Sequence, residues 1–199
     1  MSVAKLRELL ELKVVVVHPP DEEGAALIGH MRRIGCLVSS VWPMPTAPAN
    51  NTDVLFLLID GEERAATTAF LKALPQPRPT VIAIVNYEDP GTLQMVLESG
   101  ALAVVQKPIK PLGLLATLVT ARSLWTERQA LAKENRKLRR KILSDQTISR
   151  AKTILMVTRQ LDEAAAYQTI REQAMAKRVP MDDIANSIIH MESLLKSSA

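Results

Sequence analysis

The sequence predicts an α/β domain built on a five-stranded parallel sheet, then a long helix, then a small all-α module of three helices. Three observations carry this. Five short runs rich in Val, Ile and Leu alternate with segments of helical period before residue 107. Strands that are apolar throughout and separated by helices belong to parallel sheets covered on both faces. From Leu112 to Met156 there is no proline and one glycine, Gly113, and strong helix formers dominate. Beyond that stretch, Asp162-Glu163 and Pro180 with Asp182-Asp183 mark two more helix starts, where acids and proline suit the first turn.

Taken in order, Val3, Leu6, Leu9 and Leu10 are spaced for a short amphipathic lead-in helix. Lys13 to Val17 is a β-branched run stopped by His18-Pro19-Pro20, hence a buried strand. Glu22 to Ile34 places Ala25, Leu27, Ile28, Met31 and Ile34 in helical register, with Gly35 as the stop. Leu37 to Val41 is a second strand, and a proline-rich loop runs from Trp42 to Asn51. Val54 to Ile59 is continuously apolar and predicts a strand buried on both faces. A helix over Ala65–Leu74, a strand over Thr80–Val85, a helix over Pro90–Ser99, a strand over Ala103–Gln106 and a helix from Pro111 complete the domain. The expected strand order is the flavodoxin-like one. The expected divisions are a sheet domain at 1–120, a helical linker at 121–147 and a helical module at 148–199.

Composition narrows the function classes. The single cysteine, Cys36, excludes an intramolecular disulfide and a thiolate metal cage, and its apolar neighbours predict a small buried side chain. This suits a reducing cytoplasm. The N-terminus has no uninterrupted apolar core, so no signal peptide is expected, and no apolar run is long enough to span a membrane. His18, His30 and His190 lie far apart with no partner motif, and there is no glycine-rich phosphate loop. The expectation is a non-enzyme without cofactor or metal. Charge is uneven: residues 121–160 hold 11 Lys/Arg against 3 Asp/Glu, while residues 161–199 hold 4 against 6. A local basic block is the footprint of a polyanion partner, with a solvated helix face as the plainer reading.

The layout of the first domain, with Lys107-Pro108 after the fifth strand, resembles the response-regulator receiver domain over about residues 12–122. That family holds Mg²⁺ with an acidic pair ending the first strand; here His18 and Pro19 stand there, and Asp21, Glu22 and Glu23 come later. Its phospho-acceptor follows five residues after an acid opening the third strand, which from Asp53 falls on Leu58. Val85, or Asn86 if the register slips by one, replaces the small hydroxyl residue that ends the fourth strand, and Lys107 alone survives. Aspartyl phosphorylation needs a carboxylate nucleophile and oxygen ligands for the cation. Leu58 and Lys107 therefore mark a degenerate phosphorylation site, and the domain is expected to act by contact. A shifted site on Asp60, served by Asp21 or Glu22, is the remaining route to phosphorylation.

Within the linker, Leu124, Leu131 and Leu138 recur at seven residues, and Ala121, Arg128, Asn135 and Ile142 fall at the companion heptad position. This predicts a short coiled coil and a homodimer, in which Asn135 sets register at some cost in stability. Trp125 lies beside the seam and extends the expected interface. The alternative is one amphipathic helix packed on its own domain.

The last stretch reads Ala151-Lys152-x-x-Leu155-Met156, then Asp162-Glu163-Ala164, Arg171-x-x-Ala174-Met175 and Ile184-Ala185-x-x-Ile188. In order and spacing this pattern resembles the ANTAR domain, an RNA-binding antitermination module of bacterial regulators. The arrangement as a whole, down to Arg33-Ile34-Gly35-Cys36 and Trp42-Pro43, resembles amidase-operon antitermination regulators. The resemblance implies binding to paired hairpins in a leader mRNA, with polymerase reading through a terminator, and control by a ligand-sensing protein that sequesters the chain. By match to the motif it puts RNA contact at Arg150, Ala151, Lys152, Tyr167, Arg171, Lys177 and Arg178, with Ala151 small enough for a loop to approach. Ile154, Leu155, Met156, Ala174, Met175 and Ile184 are read as core, and for Tyr167 stacking and core packing stand level. Competing readings are a DNA-binding response regulator with a C-terminal helix-turn-helix, against which the net acidity of residues 161–199 counts, and a pure protein-interaction scaffold.

Overall fold

The computed structural model describes residues 10–86 and 90–197 of the chain, and these form two compact units, one ending at Ala130 and one beginning at Leu131. In the first unit the elements are β1 (Lys13–Val17), α1 (Glu22–Ile34), β2 (Leu37–Val41), β3 (Val54–Ile59), α2 (Arg64–Lys72), β4 (Thr80–Val85), α3 (Pro90–Ser99), β5 (Ala103–Gln106) and the start of α4 (Leu114–Arg159). The sheet order is β2-β1-β3-β4-β5 with every pair parallel, the expected flavodoxin-like arrangement. Side chains alternate between faces along each strand. Val14, Val16, Phe56, Ile82 and Ile84 point to one core, closed by Leu27 and Met31 of α1 and Leu118 of α4. Val15, Val17, Leu55, Leu57, Ala83 and Val85 point to the other, closed by Phe70 and Leu71 of α2 and Met95 of α3.

Local chemistry sets the boundaries. Asp21 caps α1 by accepting from the Gly24 N–H at 2.8 Å, and Gly35 ends it at φ 101°, returning its N–H to Arg32 O and Met31 O. A side chain at Gly35 would be strained in that left-handed backbone and would meet Leu10 at 2.7 Å. Two expected bounds move. α2 runs over Arg64–Lys72 rather than Ala65–Leu74, because Ala73 turns the chain toward Pro75 and Leu74 packs into the core from beyond the helix end. α4 starts at Leu114 rather than Pro111, because Gly113 adopts φ 96° and caps the helix, its carbonyl accepting from Thr117 N at 2.8 Å. The lead-in at Val3, Leu6 and Leu9 lies outside the described residues.

In the second unit, α4 continues to Arg159, followed by α5 (Glu163–Lys177) and α6 (Met181–Ser197). Asp162 caps α5, accepting from Ala165 N at 2.7 Å, and Arg178 ends it in the left-handed conformation. Pro180 precedes α6 rather than lying inside its first turn, and its carbonyl accepts from Asp183 N at 3.1 Å. The core is Ala151, Leu155, Ala166, Ile170, Ala174, Ile184 and Ala185. Four of these seven are alanine, so the helices meet over small side chains. Among the described residues no helix is long and apolar enough to cross a membrane.

Candidate nucleic-acid interface

At the carboxyl ends of the strands, where α/β sheets place their chemistry, apolar side chains stand where the receiver resemblance puts the phospho-acceptor and the small hydroxyl residue. Leu58 is buried in the core at 6% exposure and Val85 ends β4 at 2%. Asp60 follows β3 outside the strand. Lys107 places its ammonium 3.1 Å from Glu23 and 3.9 Å from Asp21. Glu23 also accepts from Ile109 N at 3.0 Å. His18, read from the sequence as unremarkable, is buried beside them, its Nδ1 3.4 Å from Asp21. Ligand atoms of His18, Asp21 and Glu23 lie within 4.8 Å of one another, and the Lys107 ammonium lies against both carboxylates. The Gly24 N–H, and secondarily the charges of His18 and Lys107, hold the Asp21 carboxyl below its ordinary pKa. The signal for this cluster was present in the spacing: Asp21 and Glu23 open the helix that faces the strand end bearing Lys107.

On α4 the expected seam divides. Leu124, Leu131, Leu138 and Ile142 are exposed at 41%, 58%, 53% and 56%, and Asn135 is exposed beside them. Ala121 is fully buried in the sheet domain instead. The heptad read back into a helix face that the sheet already covers. Trp125 also turns inward: its Nε1–H donates to Arg78 O at 2.7 Å, and the Arg122 guanidinium stacks 4.5 Å from its ring centre. Arg122 donates to Thr80 Oγ1 at 3.1 Å, which ties this stretch of α4 to the amino ends of β3 and β4. Trp125 thus packs partly on its own domain.

In the helical unit, Arg150, Tyr167, Arg171, Lys177 and Arg178 all reach the surface. Tyr167 is 43% exposed, which leaves its ring free of the core. Tyr167 and Arg171 stand one turn apart on α5, with Met175 a turn further on. Ala151 is fully buried, and its small side chain lets α4 pack closely on its neighbours. Lys152 is largely buried and pairs with Glu163 at 2.5 Å, and this bond holds the exposed Glu163 carboxyl below its ordinary pKa. Three residues expected in the core are outside it: Ile154 is only partly buried and does not join the cluster, Met156 is 38% exposed and Met175 68%. On α6, Met191 and Leu194 are 64% and 53% exposed, while Ala166 of α5, not singled out from the sequence, is fully buried. Cys36 is buried as expected, and burial pushes its thiol pKa up.

Comparison with known proteins fits this arrangement. Residues 12–122 match the family described as AmiR, N-terminal, and residues 136–189 match the ANTAR domain, which begins inside the stretch read from the sequence as linker. The aliphatic amidase regulator of Pseudomonas aeruginosa is 34% identical over 187 residues, covering 94% of this chain and 95% of that one. Among solved structures, NtrX from Brucella abortus aligns with a TM-score of 0.52 at 17% identity, over 62% of this chain and 29% of that one. A response regulator receiver protein from Burkholderia phymatum aligns at 0.47 and 20% identity, over 57% of this chain and 96% of that one. The first unit has the receiver fold, the second carries the ANTAR pattern, and the chain belongs to the AmiR family of ANTAR-domain transcription antitermination regulators.

Proposed function

We propose that the chain binds hairpins in a leader mRNA and so keeps a terminator from forming. It works in the cytoplasm as a homodimer joined along α4, under the control of a ligand-sensing protein rather than a phosphate. The observation that supports RNA contact most directly is the exposed face of α5, where Tyr167 and Arg171 present a ring and a guanidinium group one turn apart. Single-stranded loop bases are recognised by stacking on aromatic rings and guanidinium planes. Dimerisation is supported by four large apolar side chains left exposed at heptad spacing on α4. Control by contact is supported by the leucine at the acceptor position and by the pairing of Lys107 with Asp21 and Glu23.

A mobility-shift titration with leader-hairpin RNA and with duplex promoter DNA tests the reading. Binding to the hairpin that weakens roughly 5- to 150-fold in Arg171→Ala is expected, at about 1–3 kcal/mol for a lost base contact. Binding to duplex DNA alone would instead establish the helix-turn-helix reading, and binding to neither would leave a protein-interaction module.

A further inference from the structure

The stripe by which α4 joins its own three-helix unit consists of Ser144, Ile148, Ala151 and Leu155, at spacings of three and four. Continued toward the amino end at about 100° per residue, the same stripe is Lys141, Lys137 and Lys133, with Arg140 beside them. All four are exposed, and none makes an ion pair among the described residues. The stripe changes from apolar to cationic where the covering helices stop. Leu131, Leu138 and Ile142 lie roughly 130° around the helix from it, so a partner on the seam leaves the cations uncovered.

The turn between α5 and α6 comes to the same end of the unit. Ser144 Oγ bonds Asp182 Oδ1 at 2.6 Å, which holds the start of α6 one helical turn from Arg140 and Lys141. Four residues before Asp182 stands Arg178, with Lys177 next to it, both exposed. Exposed cations of two segments therefore lie toward the same end of the unit. Glu134 and Asp145 stand on the seam-side flank of this row, outside the row itself.

Resting on the RNA-binding reading, we propose that this cationic ridge, Lys133, Lys137, Arg140 and Lys141 continued by Lys177 and Arg178, is the docking surface for the sugar–phosphate backbone of the hairpin stem. The bases of the loop are then left to Tyr167 and Arg171 on α5. Phosphate contacts fix position and carry no sequence information, whereas base contacts discriminate. Ridge and α5 face therefore have separable signatures.

The test uses the full chain and a leader stem-loop RNA followed by fluorescence anisotropy across a range of salt concentrations. Lys137→Gln, Arg140→Gln and Lys141→Gln are combined in one variant; glutamine keeps the helix propensity, and circular dichroism with light scattering confirms fold and mass. The slope of log affinity against log salt should fall by about 2–3 in magnitude, at roughly 0.7–0.9 per lost phosphate contact. The loss should be equal for hairpins with native and scrambled loops. A wild type that binds with a slope the variant leaves unchanged overturns the ridge alone, whereas a wild type that binds no hairpin overturns both readings. Phosphatidylglycerol vesicles are the counter-probe: vesicle binding lost in the variant while the RNA slope stays fixed assigns the ridge to a membrane surface and overturns the proposal.

Discussion

Ala151 separates two accounts of the helical unit, and Ala151→Leu is the perturbation that tests them. Its side chain is fully buried, as are those of Ala166 and Ala185, and Ala174 is 5% exposed. Leucine adds three carbons at a point where helices meet over methyl groups, and the adjoining Leu155, Ile170 and Ile184 are themselves buried. Overpacking of this kind costs about 1–3 kcal/mol, against a total on the order of 5 kcal/mol for a helical unit of this size. Hydrogen exchange of the α5 and α6 amides, read by mass spectrometry, should therefore speed up roughly 5- to 150-fold. Ala164→Leu, at an exposed site one turn away from the core positions, should change stability by no more than about 0.5 kcal/mol. Were Ala151→Leu to exchange like the wild type while losing hairpin affinity, the alanine would be a ligand contact and the packing argument would be wrong.

Three further outcomes follow from contacts described above. Leu131→Lys combined with Leu138→Lys should bring the mass measured by light scattering down to the 21.9 kDa of one chain, since each buried leucine is worth about 1.5–3 kcal/mol; an unchanged mass would remove the α4 seam. Asp21→Ala should lower the urea midpoint at neutral pH by the loss of a helix cap worth about 1 kcal/mol. Because the folded carboxyl titrates below 3.8, that contribution is complete above this value and is lost as pH falls through the depressed pKa, so the two proteins should converge in acid; a gap that persists there would contradict the cap. Trp125→Phe loses the hydrogen bond to Arg78 O and should destabilise the sheet unit by about 1–2 kcal/mol, with no change in mass if the ring plays no part in dimerisation.

The sheet domain was legible because its signals are local and redundant. Val54–Ile59 is apolar without interruption, so it could only be a doubly covered strand, and prolines or glycine stand at the ends of β1, β2 and α1. The helical unit was less legible. Periodicity locates an apolar face but does not say how far a partner helix reaches along it. Met175 and Met191 share the spacing of core residues yet stand in the open, while Ala166 and Ala151 disappear into contacts that composition does not announce. The heptad had the same weakness at its start, since Ala121 fits the repeat and belongs to the sheet's core. The basic block was visible as a count. Its direction required the phase of α4 relative to Ser144 and Ala151, and that phase emerges only once the packed face is known.

The ends of α5 carry a further implication. Gln160 before it and Arg178 after it both hold left-handed backbone, at φ 53° and 55°, a conformation that costs a side chain about 1–2 kcal/mol and glycine almost nothing. A heat-selected library should accordingly enrich Arg178→Gly. On the proposed ridge the same exchange deletes a phosphate contact. Robustness and regulation would then pull one codon in opposite directions, and variants surviving the harshest selection would be those least able to hold the transcript.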